Sequence, residues 1–291
     1  MTTPAHLRQR SEDLAQALPP LLAAAEQLAQ TVLLGAHGRR RSGMGDEFWQ
    51  YRNARPGDEA RSIDWRRSGR SDEHFVRENE WQAAQSVHIW LDEAQSMDFA
   101  STDRLVTKAD RAKLLSLAMS VLLIRAGERV ALANLGTPPR SSELQLIRIA
   151  EAFTRGGERP DYGAPEVRGM LPHARALFVS DFMGDIEAVT AQLTKAADRG
   201  VKGVLFQILD PQEEAFPFDG RTIFESMGAS VRHETLKARD LRGRYLERLA
   251  ERKGRLQDLA HVTGWQYRCH HTSDPAQAAL LWLYGALERR R

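Results

Sequence analysis

Val87-His88-Ile89-Trp90-Leu91-Asp92 is the stretch that decides the fold. It runs without the in-out alternation of a half-exposed strand and stops at a carboxylate. A short continuous apolar run of this kind predicts a strand buried on both faces, as in a parallel sheet. Downstream, the pattern repeats as strand and helix. Residues 108–125 form an amphipathic helix with Leu114, Leu115, Leu117, Ala118, Val121 and Leu122 on its apolar side, and Gly127 ends it. A second strand is expected near 130–134, then a helix capped by Ser141 and running to about Thr154. A third strand, 176–181, again ends in a carboxylate, Asp181. A helix near 185–199, a strand at 203–209, a helix at 238–262, a strand at 266–270 and a helix from Pro275 complete the series. Between them, 216–225 reads as a hairpin with Asp219-Gly220 at its tip. Five-residue strands alternating with helices of twelve or more predict an α/β domain, a mostly parallel sheet with helices on both faces.

Upstream the character differs. Residues 1–34 read as helix, interrupted by Pro19 and Pro20, with Leu21, Leu22, Ala25, Leu28 and Val32 on one buried face. From 35 to 81 periodicity is weak, and Gly, Arg, Asp and Trp dominate. Short strands and tight turns are expected there, with a turn at Pro56-Gly57 and a strand near 74–77. Three parts result: an N-terminal helical segment, 1–34; an Arg/Asp-rich β segment, 35–81; and the α/β domain, 82–291.

Composition excludes several classes. Lys plus Arg is 41 against 39 Asp plus Glu, a net charge of +2, without the basic excess of a dedicated nucleic-acid binder. One cysteine, Cys269, rules out an internal disulfide. No apolar run approaches the roughly 20 residues that cross a bilayer, and no secretory signal is visible. The expectation is a cytoplasmic protein without a transmembrane segment. There is no phosphate-binding Gly-x-x-x-x-Gly-Lys loop and no nucleophile elbow. His88, His173, His233, His261, His270 and His271 show no ligand spacing. Neighbours such as His270 and His271 on one strand point to opposite faces.

In an open α/β sheet, ligands bind beyond the carboxyl ends of the strands, and Asp92 and Asp181 are both expected there. The stretch Asp92-Glu93-Ala94-Gln95-Ser96 resembles the metal-ion-dependent adhesion site of von Willebrand factor A domains. That resemblance implies oxygen ligands for a hard cation such as Mg²⁺. Asp92, Ser96 and Asp181 match its pattern. Ala94 stands where the first motif serine would be, and Glu158, in Arg155-Gly156-Gly157-Glu158, where a threonine would be. A degenerate site is expected, with no ion or a weakly bound Mg²⁺. In the alternative reading, Asp92 and Ser96 simply bond the loop backbone.

A wider resemblance rests on Ser42, Gly43, Gly45, Glu47, Phe48, Arg52, Pro56, Gly57, Asp58, Arg61, Ile63, Asp64, Trp65, Ser68 and Arg70, followed by the strand ending at Asp92. This block is similar to that of the bacterial "domain of unknown function 58" family. The resemblance implies a von Willebrand A-like, Rossmann-type domain and an adaptor without catalytic activity. It also implies partners: a MoxR-type AAA+ ATPase and other von Willebrand A proteins.

Residues 35–81 hold ten Arg, no Lys and nine Asp or Glu. Arginine without lysine favours planar, bidentate pairing with carboxylates. Arg52, Arg55, Asp58, Arg61, Asp64, Trp65 and Arg70 are candidates for partner binding, because Arg and Trp are enriched in interface hot spots. Their alternative roles are an internal salt-bridge network and, for Trp65, core packing. Arg244, Arg248 and Arg252 form a basic stripe on the 238–262 helix, either a solvated face or one for an acidic partner or an anionic membrane. Two rival functions remain in view: a metal-dependent hydrolase using Asp92, Glu93, Glu158 and Asp181, and a nucleic-acid-binding module.

Overall fold

The structure is a computed structural model that describes residues 21–33, 48–54, 63–69, 73–79, 84–228 and 232–288. These fall into two compact units. One is Ala36–Ala84; the other joins residues up to Gly35 to Gln85–Arg291.

The larger unit is built on a five-stranded parallel sheet. Its strands are β3 (Ser86–Leu91), β4 (Arg129–Leu132), β5 (Arg175–Ser180), β6 (Lys202–Leu209) and β9 (Gln266–His271), in the order β4-β3-β5-β6-β9. All six residues of β3 are buried, as its unbroken apolar run requires. Side chains alternate between two cores, one on each side of the sheet. Ile89, Leu91, Leu177, Val179, Val204 and Phe206 face one core. There they meet α1 (residues 21–33), α3 (Lys108–Arg125), α4 (Glu143–Thr154) and α8 (Ala276–Glu288). Trp90, Ala176, Phe178 and Leu205 face the other, against α5 (Ile186–Asp198) and α7 (Ala238–Thr263). The N-terminal helix is therefore part of the α/β core, through Ala25, Ala29 and Val32.

Two local expectations are corrected. Residues 216–225 do not form a hairpin around Asp219-Gly220. The hairpin is instead β7 (Thr222–Glu225) paired with β8 (Arg232–Thr235). The reason is aromatic: Phe216 packs on Tyr245 at 4.7 Å, on Phe218 at 5.2 Å and on Phe224 at 5.5 Å. This cluster anchors the segment ahead of the hairpin. Phe216 also closes a short helix, α6 (Pro211–Ala215), in the left-handed conformation with φ 43°. α6 itself is set by a capping box, the Asp210 side chain accepting from the helix while Glu213 reaches back to the Asp210 N–H. At α4, Ser142 rather than Ser141 holds the cap position, and without a side-chain bond.

The smaller unit contains the antiparallel pair β1 (Phe48–Asn53) and β2 (Phe75–Asn79) and the short helix α2 (Trp65–Ser68). Ser68 is buried; its hydroxyl donates to Asp64 O at 2.8 Å and accepts from Phe75 N at 2.9 Å. Trp65 is 59% exposed, edge-on to His74. Core packing is thus not its role. Arg55, Asp58, Arg61, Arg70, the Pro56-Gly57 turn and the Arg52 side chain lie outside the described residues.

Candidate functional site at the sheet switch point

From β3 the chain crosses to β4 on one side, and later to β5 on the other. The sheet order reverses there, so the crevice between the ends of β3 and β5 is the place where this architecture binds ligands. Asp92 and Asp181 stand at those two ends, each 1% exposed.

Asp92 accepts one protein hydrogen bond on each carboxylate oxygen. Its Oδ1 accepts from Ala94 N at 2.8 Å, and its Oδ2 accepts from the Ser180 hydroxyl at 2.6 Å. Burial raises its carboxyl pKa above the ordinary value, with Ser180 and Ala94 opposing and Asp181 adding to the rise. The Ser180 hydroxyl in turn accepts from Phe182 N at 2.8 Å, where Phe182 turns through a φ of 51°.

Asp181 faces a cation of the chain itself. Lys108 is the first residue of α3, just after the Thr107 cap, whose side chain accepts from Asp110 N. Side chains at a helix start lean back beyond the N-terminus, which carries this one over the sheet edge. Its Nζ lies 2.8 Å from Asp181 Oδ2 and 2.7 Å from Glu213 Oε1, and the side chain is 1% exposed. Asp181 Oδ1 accepts from Met183 N at 3.0 Å, and its carbonyl from Gln207 Nε2 at 2.7 Å. Burial works against the Lys108 charge, but Asp181 and Glu213 outweigh it and hold the ammonium above its ordinary pKa. Burial raises Glu213 despite the ammonium beside it.

The remaining space above the strand ends is closed by the segment around residue 161. Gln95 N and Ser96 N donate to Pro160 O and Asp161 O, both at 2.9 Å. Arg159 forms a two-pronged pair with Asp98, at 3.0 and 2.5 Å. Gly163 lies so close that a Cβ there would meet Asp92 Oδ1 at 2.2 Å. The Ser96 hydroxyl is buried without a hydrogen-bond partner. The donors fit a resident divalent cation poorly at one point: the positive charge at Asp181 is already supplied by Lys108.

Beside this closed centre is an open one. A cleft of about 240 Å³ lies between β3, α3 and α4. Ala94, Ala109, Leu132, Leu135 and Phe153 give it an apolar floor; Glu93, Lys113, Asn134, Arg155 and Glu158 form its rim, with Asp92 at its inner end.

The chain matches the family described as "Protein of unknown function DUF58" over residues 50–255. It belongs to the DUF58 family. Uncharacterized proteins of Mycobacterium tuberculosis and Mycobacterium bovis are each 27% identical to it over 249 residues, covering 79% of this chain and 77% of their own. Among solved structures, a conserved hypothetical protein BatB from Bacteroides thetaiotaomicron superposes with a TM-score of 0.41 at 12% identity, covering 70% of this chain and 98% of its own. An aerotolerance-related membrane protein from Bacteroides fragilis gives 0.42 at 12% identity with the same coverage. Among the described residues of this DUF58 chain, no helix is long and apolar enough to cross a membrane.

The carboxylates proposed for hydrolysis do not converge in this DUF58 chain. Glu93 and Glu158 are exposed on the cleft rim, while Asp181 is turned to Lys108. Among the described residues, the group of three or more His, Cys, Asp or Glu side chains with donor atoms within 4.8 Å of one another is elsewhere: Glu214, Cys269 and His271. Cys269 and His271 lie two apart on β9 and so share a face, a spacing that the adjacent His270 and His271 obscure. The basic stripe is also only partly free. Arg244 and Arg248 are exposed, but Arg252 is half-buried and donates to Gly184 O at 2.8 Å.

Proposed function

We propose that this DUF58 chain is a non-catalytic docking module, and that its partner inserts an apolar side chain, flanked by polar residues, into the cleft beside Asp92. The observation that carries this reading is Lys108, clasped between Asp181 and Glu213. With an internal ammonium at the switch point, the cleft is an open feature at that edge of the sheet, and its apolar floor and mixed-charge rim suit a protein loop. A divalent ion is not needed to bridge to the partner. The family resemblance makes a MoxR-type AAA+ ATPase the first partner to try.

The test uses the full chain and a purified, nucleotide-free MoxR-type AAA+ ATPase from the same organism. Gly157→Trp closes the cleft mouth at a position where an added Cβ meets nothing within 4 Å. Arg155→Glu reverses a rim charge. Both should leave the melting temperature unchanged and weaken the complex by about tenfold or more, as loss of a hot spot does. Excess EDTA should leave wild-type affinity unchanged. Equal binding by both variants and the wild type would move the docking surface elsewhere.

A further inference from the structure

We propose that Glu214, Cys269 and His271 bind one transition-metal ion of the zinc class, with a fourth coordination position left open. The site lies at the carboxyl end of β9, away from the cleft. Cys269 and His271 project from the same face of that strand, and Glu214 comes from α6. Their donor atoms already lie within 4.8 Å of one another. A tetrahedral zinc ion, with ligands at about 2.0–2.3 Å, holds its donors roughly 3.5 Å apart, so a small inward movement closes the shell. Thiolate and imidazole beside one carboxylate select a borderline-soft ion over magnesium or calcium.

The surroundings supply what such an ion needs. Asp274 Oδ2 lies 3.7 Å from His271 Nδ1 and accepts from His271 N at 3.3 Å. The carboxylate thus lies on the Nδ1 side of the ring, within a small movement of a hydrogen bond, and Nε2 contacts Glu214 on the other side. A carboxylate behind a ligating imidazole is the usual second partner of a metal-bound histidine. Lys253 Nζ sits 2.5 Å from Glu214 Oε1, and its charge is felt at Cys269. It is a positive charge among the three donors, the role that an ion would take. Lys108 is 1% exposed and locked between two carboxylates, whereas Lys253 is 25% exposed and has one carboxylate partner, so it can be displaced into solvent. At neutral pH a cysteine side chain is mostly the thiol, and Cys269 enters as one. Binding forms the metal–sulfur bond, releases the thiol proton to solvent and displaces the Lys253 ammonium intact.

The experiment is calorimetric titration of the tag-free, chelator-stripped full chain with Zn²⁺ alone, paralleled by Co²⁺ followed in absorbance. One equivalent should bind, and cobalt should give a thiolate charge-transfer band that Cys269→Ser abolishes. His271→Ala should weaken binding by at least tenfold, and Asp274→Asn by about tenfold. Lys253→Met, which removes the competing ammonium, should tighten it by about tenfold. That gain is one a merely structural lysine would not give. No saturable binding, or equal binding by wild type, Cys269→Ser and His271→Ala, would show an adventitious ion only and overturn the site. Should the ligand variants fail to fold, Lys253→Met decides: tighter binding upholds the site, and unchanged or weaker binding overturns it.

Discussion

Lys108 and Asp181 meet as a buried ion pair, Nζ to Oδ2 at 2.8 Å with both side chains 1% exposed. Glu213 accepts a second bond from the same ammonium. The pair joins the start of α3 to the end of β5, and Glu213 adds α6. Removing the cation leaves two carboxylates facing each other with little water. Lys108→Met should cost about 3–5 kcal/mol, as breaking a buried pair does, measured by urea unfolding. Adding Asp181→Asn should recover part of that loss, since one of the two stranded charges is then gone. A loss under about 1 kcal/mol in the single variant would mean that the pair holds little together.

If Lys108 supplies the cation at Asp181, Mg²⁺ must displace a buried ammonium to reach that carboxylate. Titration of the wild type with Mg²⁺ should give no saturable heat. Micromolar affinity abolished by Asp92→Ala would contradict the assignment of that charge to Lys108.

Gly163 tests how tightly the loop closes over Asp92. Its added Cβ would overlap a carboxylate already held by Ala94 N and Ser180. Neither side can retreat freely, so Gly163→Ala should destabilise by about 1–3 kcal/mol, the usual cost of overpacking. Denaturant unfolding reads it, and a neutral result would show the loop to be loose.

The strands could be read from the chain because β3, β5 and β6 are buried on both faces, and a continuous apolar run too short for a helix fits a two-sided sheet interior. Asp92 and Asp181 followed, each being the residue after such a run. Lys108 did not, since its partners lie 73 and 105 positions away. One local sign was present: a lysine in the first turn opposes the helix dipole, so its placement needs a tertiary reason. α6 left a clearer mark in Asp210-Pro211-Gln212-Glu213, which combines a cap, a proline at the first helical position and the reciprocal glutamate. The Phe216 cluster left none, because an Asp-Gly pair is locally as good a hairpin tip as an ordinary turn.

His270 predicts an acid sensitivity. It is 3% exposed, and Arg111 donates to its Nε2 at 3.1 Å. Burial, then Arg111, lower its pKa from 6.5 to about 4. Below pH 6.5 the unfolded chain takes up a proton that the folded chain refuses until about pH 4. Stability therefore falls with pH across that window, by about 3 kcal/mol. His270→Gln keeps an acceptor for Arg111 and removes the titration, so its stability should decline less over the same range. Parallel curves for variant and wild type would place the acid sensitivity at another group.

The basic stripe on α7 separates structure from surface within one helix. Arg252 donates to Gly184 O at 2.8 Å. It thus ties α7 to the segment that follows Asp181. Two neighbouring cations are occupied as well, Lys253 by Glu214 and Arg255 by Glu187, each at 2.5 Å. Arg248, four residues earlier, is exposed. Arg252→Ala should cost about 1–2 kcal/mol for the lost charged hydrogen bond, while Arg248→Ala should stay within about 0.5 kcal/mol. Neither should alter binding to nucleic acid, because a stripe with its inner member tied to backbone is not a continuous phosphate track. The measurement is paired: thermal melting of each variant, and binding to a duplex DNA and a single-stranded RNA across a salt series. A tight, steeply salt-dependent affinity that drops with Arg248→Ala would overturn this and make α7 a nucleic-acid face.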